Sequence, residues 1–130
     1  MDCPDCGAAT FAFPVPPEYR KYLPGDGAAA EVCTRCLTLR PVDDAPDDRP
    51  DFSTISDAIP SNPDAAVPFV LLVGLVPSLA RYRSEISALL EAVERAGTDP
   101  LLALDRLADD SNIDSDTDLR GRRRQLEQLL

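Results

Sequence analysis

The chain has no histidine and no tryptophan in 130 residues, one methionine, and a single lysine, Lys21. Without imidazole, every mechanism built on a histidine base, nucleophile or metal ligand is excluded. Four phenylalanines and three tyrosines are the whole aromatic complement, so the core must be aliphatic, built from leucine, valine and alanine. No glycine-rich phosphate loop and no nucleophile–base pair can be picked out, and the expectation is a protein that is not an enzyme. The longest uncharged stretch, Ala65 to Ala80, is interrupted by Pro68, Gly74 and Pro77. It is shorter than the ~20 residues needed to cross a bilayer and reads as a buried helix. No basic segment followed by an apolar run opens the sequence, and a cysteine at position 3 suits a signal peptide poorly, so a cytoplasmic location with no membrane partner is expected.

What is abundant is acid. Asp and Glu number 23 against 13 Lys and Arg, for a formal charge of -10. Aspartate exceeds glutamate, arginine replaces nearly all lysine, and alanine is plentiful. That balance resembles the proteins of extreme halophiles, where molar salt screens self-repulsion and carboxylates hold surface water. The charge is scattered along the chain, which argues against a nucleic-acid mimic.

Turn and strand signals crowd the first third. Thr10 to Val15 alternates Phe11 and Phe13 with smaller residues, as a short strand does. Pro16 and Pro17 introduce a helical turn over Glu18 to Leu23, and Pro24-Gly25-Asp26-Gly27 reads as a turn. Ala28 to Val32 can form a second strand. Leu37 to Arg40 can form a third, which Pro41 is expected to stop. Asp43 to Asp51 carries five acids and two prolines in nine residues and reads as an extended linker.

Beyond the linker the period becomes helical. Phe52, Ile55 and Ile59 are spaced for a helix capped by Ser53 or Thr54 and ended at Pro60. Asn62-Pro63 can open a helix over the Ala65 to Val76 segment, with Gly74 and Pro77 marking a kink or break. Ser78 to Ala96 puts Leu79, Tyr82, Ile86, Leu89, Leu90 and Val93 on one stripe, allows ion pairs Arg81–Glu85 and Glu91–Arg95, and ends at Gly97. Asp99-Pro100 restarts a helix with Leu101, Leu102, Leu104 and Leu107 inward, and Asp118 can cap a last one carrying Leu119, Leu126, Leu129 and Leu130. The expected fold class is α+β, an N-terminal four-cysteine ribbon with short antiparallel strands followed by four to five helices. The expected divisions are a zinc ribbon over 1–42, the acidic linker over 43–51 and a helical domain over 52–130.

The chemistry lies in the four cysteines, paired as Cys3-Pro4-Asp5-Cys6-Gly7 and Cys33-Thr34-Arg35-Cys36. Two residues between cysteines let a tight turn present both sulfurs to one ion, and the glycine after Cys6 permits the positive φ of such a knuckle. Four thiolates favour a tetrahedral zinc site, one ion per chain. With all four positions filled by protein, none is open for substrate, so the site is structural. An iron centre of rubredoxin type uses the same ligands, and a redox dithiol is a third reading although neither pair has a βαβ context. Zinc on four thiolates is a dianion, which Arg35 and Arg40 are placed to offset.

Cysteine pairs at this separation resemble the zinc-ribbon class, which implies two knuckles joined by short strands. The longer layout is similar to a small haloarchaeal zinc-ribbon family of unknown function. The motifs that carry this are C-P-D-C-G, E-V-C-T-R-C-L, P-L-L-A-L-D-R-L-A-D-D and R-R-R-Q-L-E-Q-L-L, and the resemblance implies no activity.

Two further features invite other readings. Asp110 to Asp118 alternates acids like a calcium loop, but Ser115 falls where the turn glycine belongs and Gly121 where the bidentate glutamate belongs. Arg120-Gly121-Arg122-Arg123-Arg124 is the one basic cluster, and with Arg35 and Arg40 it supports an alternative role as a nucleic-acid-associated factor in transcription or translation. It lacks interleaved aromatics, and pairing with Asp114, Asp116, Asp118 or Glu127 is the simpler account. Phe11, Phe13, Tyr19 and Tyr22 read as the ribbon's small core. The favoured reading is a non-enzymatic zinc-binding protein that presents its ribbon or helices to a protein partner or to a second copy, since its helices carry more aliphatic surface than a short hairpin buries.

Overall fold

The computed structural model describes residues 3, 4, 6–23, 28–45, 51–115 and 117–128. The expected turn at Pro24 to Gly27, residues 46–50 of the expected linker, Asp116 as an arginine partner, and Leu129 and Leu130 lie outside the described residues.

Alternating apolar residues give three antiparallel strands, β1 (Thr10–Pro14), β2 (Ala29–Cys33) and β3 (Leu39–Val42), in the order β1-β2-β3. The register pairs Phe11 with Val32, Phe13 with Ala30, and Val32 with Leu39, so one face collects the apolar side chains. On the opposite face Glu31 lies across from Arg40 and forms an ion pair with it. Pro41 does not stop β3 but sits inside it. The strand is at the sheet edge, where a residue without an N–H leaves no ladder position unmet. A 3₁₀ helix over Pro17–Tyr22 follows β1.

The helix expected over 52–59 is replaced by a single 3₁₀ turn, Phe52–Thr54, followed by turns. Ser53 and Thr54 do not cap it. Asp51 does, by accepting from the Ser53 backbone N–H at 3.1 Å. Ser56 then accepts from the Ala58 N–H at 3.1 Å and donates to Asp110 at 2.5 Å. These local bonds compete with a helical ladder, yet Phe52, Ile55 and Ile59 are all still buried.

Helix α1 (Pro63–Leu75) opens as its sequence indicates, with Asn62 accepting from the Asp64 N–H at 3.1 Å and Pro63 in the first turn. It is apolar on every side and central. The helix runs through Gly74 and ends one residue later, at Leu75. A Cβ on Gly74 would fall 2.5 Å from Leu39 Cδ2 and 2.7 Å from Leu39 Cβ, so this glycine is where β3 lies directly against the helix. Pro77 ends the segment within a 3₁₀ turn, Val76–Ser78.

Helix α2 runs over Arg83–Arg95 and starts later than the expected Ser78, because turns occupy 79–82. Ile86, Leu89, Leu90 and Val93 are buried as a stripe facing α1. Gly97, at φ 92, closes it with bonds from Gly97 N–H to Glu94 and from Thr98 N–H to Val93, a Schellman motif. Neither expected ion pair of this segment is among those formed by the described residues. Helix α3 (Pro100–Ala108) is capped by Asp99, and α4 (Leu119–Glu127) by Asp118. Leu104 and Leu107 point inward, but Leu102, 55% exposed, does not.

A single cluster of buried apolar side chains runs from Phe13, Val32 and Leu39 of the sheet through Phe69 and Leu72 of α1 to Leu107 and Leu126. Phe52, from beyond the linker, sets its ring centroid 5.3 Å from that of Phe11, tilted, and 5.2 Å from that of Phe13, edge to face. Tyr19 and Tyr22 pack against the same cluster. The aliphatic surface that a lone hairpin would have left over is covered by the sheet. No helix among the described residues is long and apolar enough to cross a membrane.

Candidate metal centre

Cys3 and Cys6 lie in the turn before β1, Cys33 is the last residue of β2, and Cys36 is in the turn that leads to β3. The antiparallel pairing of β1 with β2 therefore carries the two turns to one end of the sheet. Thr34 ties them together, its N–H and its hydroxyl both donating to the Ala9 carbonyl, at 3.0 and 2.8 Å. All four sulfurs lie within 4.8 Å of one another. Cys3 Sγ is 3.7 Å from Cys36 Sγ, and Cys6 Sγ is 3.3 Å from Cys33 Sγ. A tetrahedron with Zn–S bonds of ~2.3 Å has edges of about 3.8 Å, whereas a disulfide needs ~2.05 Å. No disulfide joins the four cysteines, and their spacing is compatible with their holding one ion.

Each turn is built for this. In the first, the Gly7 N–H donates to the Cys3 carbonyl at 2.8 Å, with Gly7 at φ 78. In the second, the N–H groups of Arg35 and Cys36 both donate to Cys33 Sγ at 3.4 Å. Such donors fix the direction of the sulfur. The Thr38 hydroxyl lies 3.1 Å from Cys36 Sγ. Burial pushes the Cys36 thiol up, against the opposing pull of Thr38. A thiolate there would need positive charge close by, of the kind a divalent cation would supply. Cys3, Cys33 and Cys36 are buried, while Cys6 is exposed.

Leu37 has no glycine's freedom, yet stands at φ 66, the counterpart of Gly7 in the second turn. The left-handed region costs a branched side chain about 1–2 kcal/mol. Here the side chain is buried beside Val32, Ile55, Phe69 and Val73, and burial of a leucine contributes about 1.5–3 kcal/mol in return. Comparing Cys6-Gly7 with Cys36-Leu37 is the sequence signal that would have found it. Contacts with the loop after α3 had no such signal. The Asp114 N–H donates to the Arg35 carbonyl at 2.8 Å, which lays that loop against the second turn.

The other sequence candidates fall elsewhere. Arg40 pairs with Glu31, not with the sulfurs. Arg120 pairs with Asp109, and Arg123 with Glu127 and Asp105. The Arg123 Nε to Asp105 Oδ1 separation is 3.0 Å, but that Nε has no hydrogen-bond partner, so the contact is electrostatic and not a directed bond. Arg122 donates to Gln125 at 2.9 Å. In the acidic loop Asp110 accepts from Ser56 and from the Asn112 N–H, which hold its carboxyl below the usual range. The cysteines are the one group of three or more possible metal-ligating side chains among the described residues.

No curated protein and no solved structure matches the chain. A family model covers residues 2–130, from just before the first cysteine pair through the last helix, and on that match the chain belongs to DUF6276, a family of unknown function.

Proposed function

We propose that this is a small, non-enzymatic, cytoplasmic protein in which Cys3, Cys6, Cys33 and Cys36 bind one zinc ion as the structural staple of a ribbon. The observation that carries the reading is the set of four cysteine sulfurs within 4.8 Å of one another, none of them in a disulfide. A site with four protein thiolates keeps no position for water or substrate, which favours structure over catalysis. Thiolates favour zinc among the available divalent ions, and a reducing compartment keeps them unbridged. The excess of Asp over Glu and of Arg over Lys supports a high-salt, haloarchaeal setting.

The helical body then acts as an interaction module. Support for a protein partner is local: Leu102 stands exposed beside a groove of about 500 Å³ that Asp57, Ile59, Asn62 and Arg106 also line. Light scattering in molar salt separates a homodimer from a partner of another kind, and Leu102→Asp weakens either association. For the metal, elemental analysis of protein purified without chelator or oxidant should give one zinc per chain. Protein with no metal would overturn the reading.

A further inference from the structure

We infer that Cys6 is an oxidation site, and that its oxidation joins it to Cys33 and opens the metal centre. The inference rests on the zinc reading and adds to it an order of events at the four sulfurs. Three of the cysteines are buried and Cys6 alone is exposed, so an oxidant from solvent reaches Cys6 first. Cys33 Sγ lies 3.3 Å from Cys6 Sγ, within reach of that sulfur once it has been oxidised. Cys36, at 3.7 Å from Cys3, is engaged by Thr38 and buried, which leaves that pair slower.

With hydrogen peroxide as oxidant the steps balance. The Cys6 thiolate attacks one peroxide oxygen, the O–O bond breaks, hydroxide leaves, and the sulfur becomes a sulfenic acid. The Cys33 thiolate then attacks the Cys6 sulfur, the S–O bond breaks, and a second hydroxide leaves. Two thiolates and one peroxide give one disulfide and two hydroxides. Only Cys3 and Cys36 then remain as donors, too few to retain a structural ion. Cys33 ends β2 and precedes Leu37, so the disulfide pulls on the turn that joins sheet to helices.

The test treats the full-length, zinc-loaded protein with stoichiometric hydrogen peroxide, traps free thiols, and maps disulfides by mass spectrometry while a chromogenic chelator follows released zinc. Cys6–Cys33 is expected as the first disulfide, with zinc released in step and restored by reductant plus zinc. In a separate assay, iodoacetamide should label Cys6 at least ~10-fold faster than the other three cysteines. The two possible failures are distinct. Reduced protein without zinc defeats the zinc reading, whereas zinc-loaded protein whose first disulfide joins any other pair, or whose Cys6 labels no faster than its neighbours, overturns this inference alone.

Discussion

The two cysteine turns share one spacing and differ in the residue after the second cysteine. Gly7 adopts φ 78 with nothing within 4 Å of where a Cβ would stand, and its neighbour Cys6 is exposed. Leu37 adopts φ 66 and sends its side chain into the core, and its neighbour Cys36 is buried. The first turn therefore supplies sulfurs only, while the second supplies sulfurs and also fastens the sheet to α1. Local geometry can be alike where tertiary roles are not, because the backbone requirement is set by the ligand turn and the side chain by what lies beneath it.

The largest test of that contrast is loss of ligands. Metal removal or Cys33→Ser should abolish most of the net stability, which for a domain of this size is about 5–15 kcal/mol. Because the apolar cluster is shared, the helices should lose amide-exchange protection together with the sheet. Cys6→Ser should do less harm. Equal losses from the two serine variants in denaturant titrations would erase the difference between the turns.

Leu37→Gly comes next. It relieves the left-handed strain but removes a buried leucine, and the net loss should be about 1–3 kcal/mol. A stabilised variant would show that Leu37 anchors nothing. Gly74→Ala probes the same junction from the helix side. Helix propensity alone favours alanine by about 1 kcal/mol, but the new Cβ would meet Leu39 Cβ at 2.7 Å, which cannot swing away as a side-chain tip can. A net destabilisation of about 1–2 kcal/mol is expected from thermal melts.

The smallest effect concerns the loop beside the second turn. Asp110 has its carboxyl lowered by Ser56 in the folded state, so its contribution is present above the unfolded carboxylate range and is lost as pH falls through the folded value. Ser56→Ala should melt a little below the parent near neutrality, and the gap should close on acidification. A gap that widens toward low pH would contradict the assigned sign.

Residue spacing alone specified the clustering of the four cysteines, both proline-led helix starts, the Asp118 cap and the Gly97 stop, because each depends on a few neighbouring residues obeying local geometry. The residues from Phe52 to Ile59 had the right apolar positions and the wrong element, since the bonds of Ser56 and Asp51 were decided by partners that periodicity does not register. Gly74 shows the same limit. Its sequence neighbours suggest a break, and only the strand lying across it explains the missing side chain. Tertiary structure decided which turn became the anchor, which sulfur stayed in solvent and which arginine met which acid. Those choices follow from contacts between segments far apart in the chain, where packing and charge act through space and leave no period to read.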